Sequence, residues 1–135
     1  MNYDFYNDLG AINGFMDYNP NKIDLFNPYE GFLVGNAFKN EYIPYQNYKP
    51  VKVSINNEKE ELLFNINEYS FMMHDMNLYL DNYPNDREAL RKFNEFRSKK
   101  DELVKNYERK YGPLEVTSSV DNTNFNWVSN WPWVN

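Results

Sequence analysis

The sequence predicts an all-α fold, an antiparallel two-helix hairpin with an extended Pro/Tyr-rich N-terminal arm and a Trp-rich C-terminal tail. Three observations carry this: two apolar seams of equal length within residues 58–114, a proline-centred break between them, and a glycine-proline stop at the end of the second. In the first seam Leu62, Ile66, Tyr69, Met73, Met76, Leu80 and Tyr83 follow alternating four- and three-residue steps, which keeps them on one helical face. In the second, Ala89, Phe93, Phe96, Leu103 and Tyr107 do the same, flanked by Leu90, Val104 and Tyr111 and interrupted by Lys100.

The break is Asn82-Tyr83-Pro84-Asn85-Asp86. Pro84 disfavours helical geometry at Tyr83 and has no amide proton, so the first helix ends there. Asn85 is expected to cap the second helix, with Glu88 three residues on closing a capping box. Tyr111-Gly112-Pro113 ends that helix. Each helix is then roughly 25 residues and about 37 Å long. Asn56 or Asn57 is placed to cap the first.

Four segments follow: 1–24 without sustained periodicity, with Met1 to Asn21 read as mobile or loosely docked; 25–57 as the Pro/Tyr-rich arm; 58–114 as the hairpin; and 115–135 as a polar linker with an aromatic tail. Pro28-Tyr29-x-x-Phe32 and Pro44-Tyr45-x-x-Tyr48 form a weak repeat, with at most a short helix or turn in Phe32–Phe38 between them. Val51-Lys52-Val53-Ser54-Ile55 alternates like a strand but has no mate, so an extended connector packed against the hairpin is expected.

The net charge of −6 hides a contrast. Residues 58–83 hold one Lys against six acids, whereas 86–111 hold nine Lys or Arg against six acids. The basic helix interleaves Glu88/Lys92, Glu95/Lys99 and Asp101/Lys105, the pattern of a solvated face rather than a nucleic-acid site. Lys100 is read as snorkelling or as an ion-pair partner of the acidic helix. Cysteine is absent, which excludes thiolate chemistry and disulfides, and no apolar run approaches a membrane span. Met1-Asn2-Tyr3-Asp4 lacks the basic start of a signal peptide, so the chain is expected to stay at first in the cytoplasm.

Catalytic apparatus is not visible, and no cofactor site or metal site is expected. The single histidine, His74, falls off the seam, and Phe71 occupies the position where a carboxylate-bridged di-metal helix carries Glu. No phosphate loop, nucleophile elbow or zinc-spaced cluster occurs. What stands out is 19% aromatic residues, twelve of them Tyr, ten Phe and three Trp. A two-helix hairpin has too little interior for them. The Pro-Tyr elements therefore either supply a third layer over the hairpin or dock on another molecule. The tail, with Trp127, Trp131 and Trp133, either folds back or is a docking peptide. Tyr29, Phe32, Tyr45, Tyr48, Trp127, Trp131 and Trp133 are the candidate partner contacts. The abundance of tyrosine also admits tyrosine cross-linking.

The run Asn77 to Leu90, Phe93-Asn94, Tyr107-Glu108-Arg109-Lys110-Tyr111-Gly112-Pro113-Leu114 and Trp131-Pro132-Trp133 resembles the CotJB family of bacterial spore coat proteins, over roughly residues 58–135. The segment at 25–50 resembles, more loosely, the short companion coat protein CotJA. The resemblance implies a structural, non-enzymatic coat component made in the mother cell and deposited in the spore coat. Its implied associate is a manganese-catalase-like coat protein, to which the catalase chemistry belongs. The competing readings are an adaptor that delivers or stabilises that metalloenzyme without remaining in the coat, and a small metal-dependent enzyme using His74.

Overall fold

The computed structural model describes residues 23–118 together with Phe125 and Trp127. The reading of Met1 to Asn21 as mobile lies outside the described residues, as do Trp131 and Trp133. Among the described residues three α-helices form: α1 (Pro28–Val34), α2 (Glu58–Asn82) and α3 (Arg87–Tyr111). The two long helices are 25 residues each and pack against one another as the antiparallel hairpin that the seams predict.

Side chains at the helix ends fix their limits. Asn57 caps α2 by accepting from the Glu60 amide at 2.8 Å, and Glu60 answers by accepting from the Asn56 amide at 2.9 Å. The reciprocal bonds satisfy donors that a helix start leaves open. At the start of α3 the cap is Asp86, not Asn85: its Oδ1 accepts from the amides of Glu88 and Ala89, each at 3.0 Å. The helix begins one residue later than the capping box requires, because Asp86 also reaches across the turn. Its Oδ2 accepts from the Tyr79 hydroxyl at 2.9 Å, a bond that Asn85 is not placed to make. Gly112, at φ 102°, ends α3 in a backbone conformation that strains other residues, and its amide returns to Glu108 O at 3.1 Å.

The hairpin interior divides in two. Near the turn lie Met72, Met76, Ala89 and Phe96; at the open end lie Leu62, Ile66 and Tyr107, with Leu103, Val104, Tyr111 and Leu114 around them. Lys100 stands half-buried on the stretch of α3 between Phe96 and Leu103 and makes no ion pair among the described residues. The attraction between acidic and basic helices is realised at the open end, where Lys110 and the Tyr111 hydroxyl both donate to Glu58. Along α3 the ion pairs are Arg91–Glu95, Lys92–Glu95 and Lys99–Glu102, rather than the expected Glu88/Lys92, Glu95/Lys99 and Asp101/Lys105. Exposed pairs of this kind contribute only about 0–1 kcal/mol, so local rotamers decide which of them form.

A third layer comes from the arm. Asn27 caps α1 by accepting from the Glu30 amide at 2.9 Å, Pro28 occupies its first turn, and Gly35 at φ 74° closes it. The helix lies earlier than the Phe32–Phe38 stretch considered from sequence. Phe32 packs on Phe64 and Phe71 at ring-centroid distances of 5.4 and 6.0 Å, and Tyr29 on Phe64 at 5.9 Å. Gly31 lies so close that a Cβ there would stand 2.8 Å from Met72 Sδ. The chain then doubles back: Phe26 donates to Ala37 O at 2.9 Å, Ala37 donates to Asp75 Oδ2 at 2.9 Å, and Phe38 packs on Tyr79 at 5.3 Å. Helix α2 is thereby covered on two sides. This corrects the single-seam expectation: Met72, fully buried under the arm, takes the place expected of Met73, which is only partly buried.

The connector departs from expectation as well. Residues 51–55 do not pack on the hairpin but are all exposed. The reason is geometric. Phe38 is fixed at Tyr79 near one end of α2, so residues 39–57 must travel back about 30 Å to the other end. The strip of α2 not facing α3 is already occupied by α1 along part of that route.

Candidate functional site

Three kinds of place could carry function: the groups with titratable chemistry, the concave surfaces, and the exposed apolar segment of the arm. His74 lies exposed on α2, and among the described residues no three His, Cys, Asp or Glu side chains come together as a metal site. The perturbed carboxylates have structural causes. Donation from Lys110, then from Tyr111, holds Glu58 below the ordinary glutamate value, and the Asn56 amide holds Glu60 below it. Burial pushes Glu68 above it, this residue being 6% exposed with no hydrogen-bond partner among the described residues. Tyr107, 1% exposed, has its hydroxyl without a partner, and burial, with Tyr111 beside it, raises its pKa. Among these carboxylates Glu58 is the one bonded to titratable side chains, and it meets Lys110 and Tyr111 at the exposed end of the hairpin.

Two surface hollows carry little more. A cleft of about 420 Å³ between the arm and α3 is floored by Tyr69 and Phe96 and bordered by Ile23 and Leu25. Of its charged side chains Lys39, Glu88, Lys92 and Glu95, Lys92 bonds Glu95 at 3.2 Å, and Lys39 lies 4.0 Å from Asp24 outside the cleft. A shallower hollow at the hairpin turn is lined by Tyr79, Asn82 to Glu88.

The exposed surface is more informative. Of the aromatic residues singled out by sequence, Phe32 is turned inward onto α2, and Tyr29 is divided between Phe64 and solvent. Tyr45 and Tyr48 point outward from a 3-10 turn at Tyr45–Asn47, Tyr45 being 77% exposed. Trp127 is half-buried, and Trp131 and Trp133 fall outside the described residues. The structure thus separates the first Pro-Tyr copy, which serves the chain's own third layer, from the second, which faces solvent. It also adds residues that an aromatic search passes over: Ile43 and Val51 are 80% and 81% exposed, and Val53 and Ile55 are exposed too. Their signal was the alternation in Val51–Ile55. Monomeric proteins rarely leave so many aliphatic and aromatic side chains in a contiguous exposed stretch, so residues 43–55 form the candidate interaction surface.

No curated protein and no solved structure matches the chain. A family model described as CotJB protein matches residues 60–134, which takes in α3, nearly all of α2, and the tail. With its helical hairpin and more than half of its length matched, the chain belongs to the CotJB family of spore coat proteins.

Proposed function

We propose that this protein is an assembly component of the spore coat that holds other coat proteins, a manganese-catalase-like coat protein among them, and performs no reaction of its own. The observation that carries the reading is the combination of a braced helical body with the exposed run Ile43, Tyr45, Tyr48, Val51, Val53 and Ile55. An assembly protein needs a body stiff enough to set distances and adhesive segments outside it. The family match supports deposition in the coat, and synthesis in the mother-cell cytoplasm belongs to the same proposal.

The aromatic tail is the second adhesive segment of the proposal. Replacing Trp131 and Trp133 together with Ala should leave helicity nearly unchanged, because the hairpin core is built from α2, α3 and the arm. Buried aromatic anchors typically cost about 2 kcal/mol or more when truncated. Binding of the catalase-like protein, followed by light scattering of the two purified proteins, should therefore weaken about thirty-fold or more. Unchanged binding would remove the tail from the mechanism. In isolated coats the chain should be retained in amounts comparable to that partner, whereas a scarce chain would favour an adaptor that leaves after delivery.

A further inference from the structure

We infer that residues 49–55 are an unpaired strand whose partner is the same segment of a second copy of this chain. Among the described residues, the backbone from Lys49 to Ile55 makes no hydrogen bond, although every residue there except Pro50 carries both a donor and an acceptor. Val51, Val53 and Ile55 alternate with Lys52 and Ser54, all of them exposed, so in strand geometry one face is aliphatic and the other polar. A segment with free edges and an apolar face is a template for another strand.

The sequence selects the second copy and the register. In a parallel in-register pair Lys49 and Lys52 would each stand against their own copies, a repulsion that disfavours it. In an antiparallel pair about a two-fold axis at Val53, Val51 stands opposite Ile55, and Lys52 opposite Ser54. The aliphatic side chains of both copies then share one face. Lys49 falls opposite Asn57 and beside Glu58 of the other copy, bringing the basic start of the connector to the acidic first turn of α2, where Glu58, Glu60 and Glu61 lie. Pro50 fits the same arrangement. If Val51, Val53 and Ile55 turn their amide and carbonyl groups to the other copy, the missing donor of Pro50 lies on the outer edge with Lys52 and Ser54. The contact is isologous and closes as a dimer. Since a two-stranded ribbon is marginal alone, the neighbouring Ile43, Tyr45 and Tyr48 would contribute apolar cover.

The resemblance to coat proteins also implies self-association in a coat layer; this pairing goes beyond the proposed function and stands or falls in solution, wherever the chain is deposited. The test is sedimentation of the purified full chain over a range of concentrations, with hydrogen exchange on the same samples. The expected result is a monomer–dimer equilibrium in which the Val51, Val53 and Ile55 amides gain protection as the dimer fills while Lys52 and Ser54 do not. Val53→Pro, which removes a pairing donor at the axis without touching a helix, should abolish the dimer at unchanged helicity. Ser54→Glu places a carboxylate opposite Lys52 at both symmetric positions and should tighten the dimer roughly 2- to 30-fold, while Ser54→Lys should weaken it by a similar factor. A chain that stays monomeric throughout, or a dimer indifferent to Val53→Pro and to the sign of the charge at position 54, would overturn the proposal. Loss of coat incorporation with an intact dimer would count against the coat reading alone.

Discussion

Glu68 is the residue at which the fold works against itself. It is 6% exposed on the face of α2 that carries Phe64 and Met72, and no group among the described residues donates to it. A carboxylate partly withdrawn from water without a donor disfavours the folded state, and burial accordingly raises its pKa above the ordinary glutamate value. The folded form then holds the proton more tightly than the unfolded chain. The penalty is absent below the unfolded value, grows as pH rises, and is complete above the folded value. Glu68→Leu should therefore be more stable than the natural protein at neutral pH, by no more than about 1 kcal/mol because the carboxyl is only partly desolvated, with the gain shrinking as pH falls toward 4.5. Glu58 and Glu60, whose values are lowered, lose stability on acidification, but they are common to both proteins and cancel in the difference. Urea unfolding of the two proteins across this range is the measurement; a gain that persists undiminished in acid would sink the account. Nothing in the spacing of α2 marks Glu68 as buried, because it shares a face with Phe64 and Met72, which the arm covers through Tyr29, Phe32 and Gly31.

At the level of elements, the signals that a helix itself supplies are legible in the sequence. The length of α2 and α3, the Asn57 cap and the Gly112 stop follow from backbone requirements that neighbouring residues meet or fail to meet. The start of α3 lies one residue beyond the Asn85 cap that the sequence suggests because Asn85 and Asp86 are both good caps, and Asp86 alone of the two is seen to bond Tyr79, seven residues away. This separates the two by experiment. Asp86→Ala removes the acceptor of two helix amides and of the Tyr79 hydroxyl and should cost about 1–2 kcal/mol in chemical unfolding. Asn85→Ala should change stability by less than about 0.5 kcal/mol, as exposed positions outside such bonds generally do. Equal losses at the two positions would restore the capping box read from sequence.

The whole molecule joins a family-typed hairpin to an arm that the family match does not include, since the match begins at residue 60 and α1 ends at Val34. From sequence the arm's two Pro-Tyr copies were equivalent, and only packing distinguishes them: Gly31 allows the first to approach Met72, whereas the second lies on the connector's path away from the core. The polar tie in that docking is the bond from the fully buried Ala37 amide to Asp75. Asp75→Ala leaves this amide without an acceptor in an apolar setting, at a cost of about 1–3 kcal/mol. The loss should fall on the arm rather than on the hairpin, because the α2–α3 clusters at Leu62, Ile66 and Tyr107 do not depend on Ala37. Hydrogen exchange of the full chain reads this directly: the amides of Gly31 and Gly35, bonded within α1, should exchange roughly 5- to 150-fold faster in Asp75→Ala, while those of α3 around Leu103 and Tyr107 keep their rates. If α3 accelerates equally, arm and hairpin open as one cooperative unit, and the third layer is a condition of the fold rather than an attachment to it.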